Sequence, residues 1–145
     1  VLAALIMAAA QAAATPLPNG QFHYTQSCGG CHGLLGDSAR RDVPHLQGRV
    51  GYFLCSREGR EYVVRLPNVA FAAMDDQNLA DALNFMMFGL GGSSVPADQK
   101  ALLMPFTARE VHPLRERPFK ARDLVRLRDE AMAKADAHCL SRSKP

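Results

Sequence analysis

Apolar residues recur at helical spacing along most of the chain, and the strict alternation that marks a half-buried strand is nearly absent. From Gly20 to Cys28, Phe22 or His23, Tyr24 and Cys28 fall near one face, which predicts a short helix. A second short helix is expected over 57–66, where Tyr62, Val63 and Leu66 share a face and Pro67-Asn68 supplies the stop. Asp75-Asp76 then caps a stronger helix, its stripe formed by Leu79, Leu83, Met86, Met87 and Leu90 and its end marked by Gly89, Gly91 and Gly92. Pro96, Pro105, Pro113 and Pro118 interrupt the stretch from Ser93 to Pro118, which reads as a connector wrapping the surface. It has one helical turn after Thr107, whose partner Glu110 suits a capping box. A last amphipathic helix is predicted over 121–140, with Leu124, Leu127, Ala131, Ala135 and Cys139 on one face and Arg122, Arg126, Asp129 and Glu130 turned away. The fold class is therefore all-α.

Two features alter this picture at the ends. Residues 1–14 carry no charge and pass from an apolar run into small residues, the pattern of a secretory signal peptide, with Ala10-Gln11-Ala12 or Ala12-Ala13-Ala14 as its cleavage tripeptide. A basic leading segment is missing and the chain begins at Val1, so this signal is read as truncated at its start; a buried Ala-rich helix is the alternative. No other long apolar run follows, so no membrane span is expected in the mature chain. Export would place the protein in an oxidising compartment, the periplasm, where cysteines become disulfides or covalent attachment points. The rest, 48% apolar overall with a net charge of +3, has the profile of an ordinary globular domain.

The segment between the first two helices is turn chemistry. Gly29, Gly30, Gly33, Gly36, Pro44, Gly48 and Gly51 break it repeatedly, so it wraps around something. At its start stands Cys28-Gly29-Gly30-Cys31-His32, the spacing that attaches a c-type haem. Two thiols one helical turn apart reach the two vinyl groups of one porphyrin, and the next residue turns an imidazole to the iron. Three other chemistries use part of this pattern. A thioredoxin-like pair follows a strand, and none precedes Cys28. Zinc needs two further ligands at suitable spacing, and no second Cys or His pair is present. A Cys28–Cys31 disulfide leaves His32 without a role.

With its flanking residues, the motif resembles the class I c-type cytochromes over about residues 20–88. Gly20 and Tyr24 stand where that family packs its first helix against an aromatic residue of a later one, here Phe85. CHGLLGDS followed by VPHLQGRVG is similar to the family's loop after the haem-binding histidine. The resemblance implies a cytochrome c-like helical domain, taken as 15–108, around one covalent haem; the basic C-terminal helical extension over 109–145 lies outside the match. The resemblance also implies cofactor binding by Cys28, Cys31, His32 and Pro44, the proline carbonyl orienting the imidazole, with His32 as an iron ligand. The family's methionine ligand is not matched in its usual position. Met74 is best placed by chain order, and Met104-Pro105 has the family's dipeptide but follows the helix. Met86 and Met87 lie on a packing stripe, His45 and His112 are possible second imidazoles, and an open sixth position is the remaining reading.

With two protein ligands the expected function is single-electron transfer, as acceptor or small subunit of a dehydrogenase, with other periplasmic proteins as redox partners and the polypeptide itself not an enzyme. With an open position the alternative is a haem enzyme or ligand-binding sensor. No paired carboxylates, nucleophile motif or phosphate loop is present to make the polypeptide catalytic. The arginines of the last third, diluted by acidic neighbours, read as a solvated helix face that could steer docking onto an acidic partner; nucleic acid does not suit an exported protein. Cys55 and Cys139 either pair, pinning the C-terminal helix to the domain, or lie separately buried.

Overall fold

The computed structural model describes residues 18–142, and the segment read as a signal peptide lies outside them. Among the described residues every regular element is helical: α1 (Pro18–Ser27), α2 (Gly29–His32), a 3-10 segment (Val50–Cys55), α3 (Arg57–Arg65), α4 (Pro67–Ala70) and α5 (Asp76–Asn84). The chain continues from α5 through a π-helical segment (Phe85–Leu90) and a short 3-10 turn (Gly92–Ser94) into α6 (Ala97–Lys100). It then forms α7 (Ala108–Arg115), another 3-10 turn (Ala121–Asp123) and α8 (Leu124–Arg142).

Caps set the helix starts. Asp75 accepts a hydrogen bond from the Asn78 amide at 2.8 Å and begins α5; Ser56 does the same for α3 through the Gly59 amide at 3.0 Å. Leu66, extended ahead of Pro67, stops α3, and Pro67 opens α4 at once, a turn the sequence reading left out. The apolar stripe of α5 runs on through the π-helical segment: Leu79, Leu83, Phe85, Met86 and Met87 are all buried. Here α1 crosses α5 at Gly20. A Cβ on Gly20 would intrude on the Asp81 carbonyl oxygen, so hydrogen at this position permits the approach. Tyr24, one turn further on, is fully buried with its ring 5.3 Å from that of Phe85.

The connector after the π-helical segment differs from the expected surface wrap. Val95, Phe106, Val111 and Leu114 are buried, and α7 runs for two turns. Asn84 fixes this path by a reciprocal pair of bonds: its amide donates to the Phe106 carbonyl (3.0 Å) and its oxygen accepts from the Phe106 amide (2.7 Å). Thr107 caps α7 as expected, accepting from the Glu110 amide at 3.3 Å. The Glu110 carboxylate, however, does not return to complete a capping box. It takes both arms of the Arg60 guanidinium at 2.7 and 2.6 Å, a bidentate pair that joins α7 to α3.

The last helix buries Ala131, Ala135 and Cys139 and exposes Arg126, Asp129 and Glu130, the faces read from its periodicity. Val111, Leu114 and Ala131 belong to the same apolar cluster as Tyr24, Leu83 and Met87, so the C-terminal segment shares one core with the rest. Cys55 and Cys139 form a disulfide across 84 residues, fastening α8 to the Val50–Cys55 segment. Tyr52 joins this second, smaller cluster, and its hydroxyl donates to the Asp136 carboxylate.

Candidate functional site

The motif begins where α1 ends. Tyr24's carbonyl accepts from the Cys28 amide at 2.8 Å, and Cys28's carbonyl accepts from the Cys31 and His32 amides. One further helical turn, Gly29–His32, therefore follows directly, with Cys28 at its head. It stops at Gly33, whose φ of 78° lies in the left-handed region that glycine enters without a Cβ penalty. The Tyr24 hydroxyl donates to the Gly33 carbonyl at 2.6 Å, pinning this stop to the core. Because that hydroxyl is buried and lies near Cys28 and Asp37, the Tyr24 phenol is pushed up to about 12.

Cys28 and Cys31 are both free thiols. Cys28 packs against the apolar core and its thiol is raised above the ordinary cysteine range, first by burial and then by the neighbouring Cys31. Cys31 is exposed, and the space beside Gly30 is open. His32 lies with Nδ1 3.0 Å from the Pro44 carbonyl oxygen. A carbonyl only accepts, so Nδ1 is the donor here, and in the neutral imidazole that leaves the lone pair on Nε2. The residues thus fit a covalent haem: two reachable thiols one turn apart and an imidazole held in the tautomer that can ligate. Among the described residues no group of three or more His, Cys, Asp or Glu is gathered so as to hold a metal ion, so Cys28, Cys31 and His32 do not themselves form a metal cage. Leu34 and Leu35, just after the motif, are exposed apolar side chains.

The residues considered for a sixth ligand separate clearly. Met87 is fully buried and Met86 nearly so, both in the core stripe. Met104 is 73% exposed, while its backbone carbonyl accepts from Arg60 at 2.8 Å. His45 is exposed. His112 is tied on the surface, Nδ1 2.7 Å from Asp76 and Nε2 3.6 Å from Glu116. Met74 is half-buried and packs against the same apolar cluster as Cys28.

Sequence reasoning missed Arg115. It was counted among the basic residues of a solvated helix face, yet it is largely covered and directs its guanidinium inward. Nε donates to the Ala70 carbonyl (3.0 Å), Nη2 to that of Ala72 (2.7 Å), and Nη1 to that of Met74 (2.8 Å) and to the Asp76 carboxylate (3.0 Å). The guanidinium beside Asp76 holds its carboxyl below the usual range, with burial opposing and His112 adding to the effect. Acceptors on a loop some forty residues away leave no periodic mark in the sequence. Other C-terminal arginines are engaged locally: Arg126 with Glu130 and Asp123, and Arg128 with Asp129.

No protein family, curated protein or solved structure matches the chain.

Proposed function

We propose, first, that the chain is a c-type haem protein, holding one haem through thioether bonds to Cys28 and Cys31 with His32 as an axial ligand. The observation that carries this is the motif on its own helical turn with His32 Nδ1 engaged by the Pro44 carbonyl, since that bond fixes the ring plane and leaves the ligating nitrogen bare. More particularly, we propose an exported, periplasmic carrier of single electrons, acceptor or small subunit of a dehydrogenase, with Met74 as the sixth ligand. Met74 is favoured because it is half-buried at the margin of the apolar cluster that Cys28 also packs against, whereas Met86 and Met87 are enclosed within that cluster and the other candidates lie in solvent or in surface ion pairs. One haem in this position supplies reversible one-electron chemistry at its iron.

The chain's own part is to hold and to exclude. Cys28 and Cys31 anchor the group covalently, Pro44 keeps the imidazole oriented, and Tyr24 ties the end of the motif to the core through Gly33. Apolar packing behind Cys28 keeps water from that side, which lowers the local dielectric around any charge change. No helix among the described residues is long and apolar enough to cross a membrane.

The test is a pyridine haemochrome spectrum of full-length protein made with haem-maturation machinery. A spectrum typical of two thioethers is expected, shifting to that of one thioether in Cys28→Ala or Cys31→Ala. Protein that emerges without covalent haem would refute the proposal. Rapid carbon monoxide binding by the reduced protein would instead point to the second reading, a haem enzyme or sensor, which Met74's position directly against the α5 cap residue Asp75 keeps in play.

A further inference from the structure

The loop between α4 and α5 is short, and nearly everything that fixes it comes from α7. Its other backbone hydrogen bonds are few: the Phe71 amide to the Pro67 carbonyl, the Ala72 amide to the Val69 carbonyl and the Met74 amide to the Ala72 carbonyl. The carbonyls of Ala70, Ala72 and Met74, which no helix satisfies, instead converge on one guanidinium. Arg115 can serve them because its five donors lie in one rigid plane. A lysine ammonium presents three donors from a single point and cannot span carbonyls spaced along a loop. Asp76, accepting from Arg115 on one oxygen and from His112 on the other, closes the clamp from the α5 side. Helix α7 is in turn held firmly, by the buried Val111 and Leu114 and by the Arg60–Glu110 pair.

We infer that Arg115 is the positioning residue of the Met74 loop: through three backbone carbonyls it sets where the Met74 thioether stands, so that the C-terminal extension controls the sixth coordination position. This rests on the reading that Met74 is that ligand. Arg115 makes no hydrogen bond or ion pair to the motif; it acts only through the loop. The fork holds the carbonyls by its geometry and is itself held by the Asp76 carboxylate, so Arg115→Lys keeps the charge and removes the fork.

The experiment uses the full chain with covalent haem in the ferric state and follows the red thioether-to-iron charge-transfer band together with amide exchange in the loop. In Arg115→Lys the band is expected to fall to a minority of its wild-type intensity, and the Ala72 and Met74 amides to exchange at least about tenfold faster. Leu114→Ala, which opens a cavity on the core side of the same helix and removes none of the guanidinium's bonds, should lower the melting temperature and leave the band in place. Met74→Ala should abolish the band. A band that survives Arg115→Lys but is lost in Met74→Ala overturns the inference and leaves the ligand assignment standing. A band that survives Met74→Ala overturns the assignment and the inference with it. Loss of the band in equal measure in Leu114→Ala and Arg115→Lys reduces Arg115 to general support and likewise overturns the inference. Should Arg115→Lys fail to fold, Asp76→Asn weakens the clamp from its other side and must diminish the band; an unchanged band there counts against the inference.

Discussion

Tyr24 shows how one side chain serves both packing and the site. Its ring fills the crossing of α1 with the π-helical segment, and its hydroxyl is spent on the Gly33 carbonyl at the end of the motif. A neutral phenol can make that bond from a buried position, and a phenolate cannot. The raised value, about 12 for Tyr24 against an ordinary 10, fixes the sign of a pH effect. Above the unfolded value the unfolded chain releases a proton that the native state keeps, so stability is complete below about pH 10 and falls as pH rises toward 12. Tyr52, also pushed up to about 12 by burial and by Asp136, contributes in the same window. Denaturation midpoints measured across this alkaline range should decline less steeply in Tyr24→Phe than in the wild type. An unchanged slope would show that Tyr24 ionises as freely in the folded chain as in the unfolded one.

Among elements, the α1–α5 crossing offers the sharpest prediction. Alanine at an interior helix position normally improves on glycine by about 1 kcal/mol. At Gly20 the added methyl would meet backbone, the Asp81 carbonyl, which cannot swing aside as a side chain could. Gly20→Ala is therefore expected to destabilise by about 1–3 kcal/mol in chemical denaturation, against the propensity gain. Gly92→Ala, where the new methyl meets nothing within 4 Å, should be near neutral. The elements legible in the sequence were those with enough length to display a period and a cap: Asp75 with its stripe, and the face of α8 that holds Ala131, Ala135 and Cys139. Four-residue turns such as Pro67–Ala70 and Ala97–Lys100 never complete a period, and α7 is legible only as one turn after Thr107 because Pro113 masks its second turn. Similarly, the motif could be read because its parts are contiguous. Pro44 stood apart from it and was reached only through a resemblance, and Arg115, bonded to carbonyls that carry no side-chain signature, was not reached at all.

At the scale of the whole molecule, the covalent link between Cys55 and Cys139 encloses α3, α5, α7 and most of α8 in one loop. Closing a loop of this length restricts the unfolded chain by about 4–5 kcal/mol in the entropic account. The double variant Cys55→Ser/Cys139→Ser is expected to lose stability of that order in urea, with exchange accelerating first in α8. A loss below about 1 kcal/mol would mean that α8 is held by its apolar face and ion pairs alone.

The same bridge bears on how the chain is made. Synthesis runs from the N-terminus, so Cys28, Cys31 and Cys55 exist together before Cys139 has been added. A chain that meets oxidant before Cys139 is in place offers Cys55 only the thiols of the motif as partners within the same chain. Such an adduct would occupy a thiol of the motif and leave α8 untethered at once. Pairing of Cys55 with Cys139, with two electrons passed to an oxidant of the compartment, removes Cys55 from that competition. The Cys55–Cys139 bond thus withdraws from thiol exchange the two cysteines of the chain that lie outside the motif.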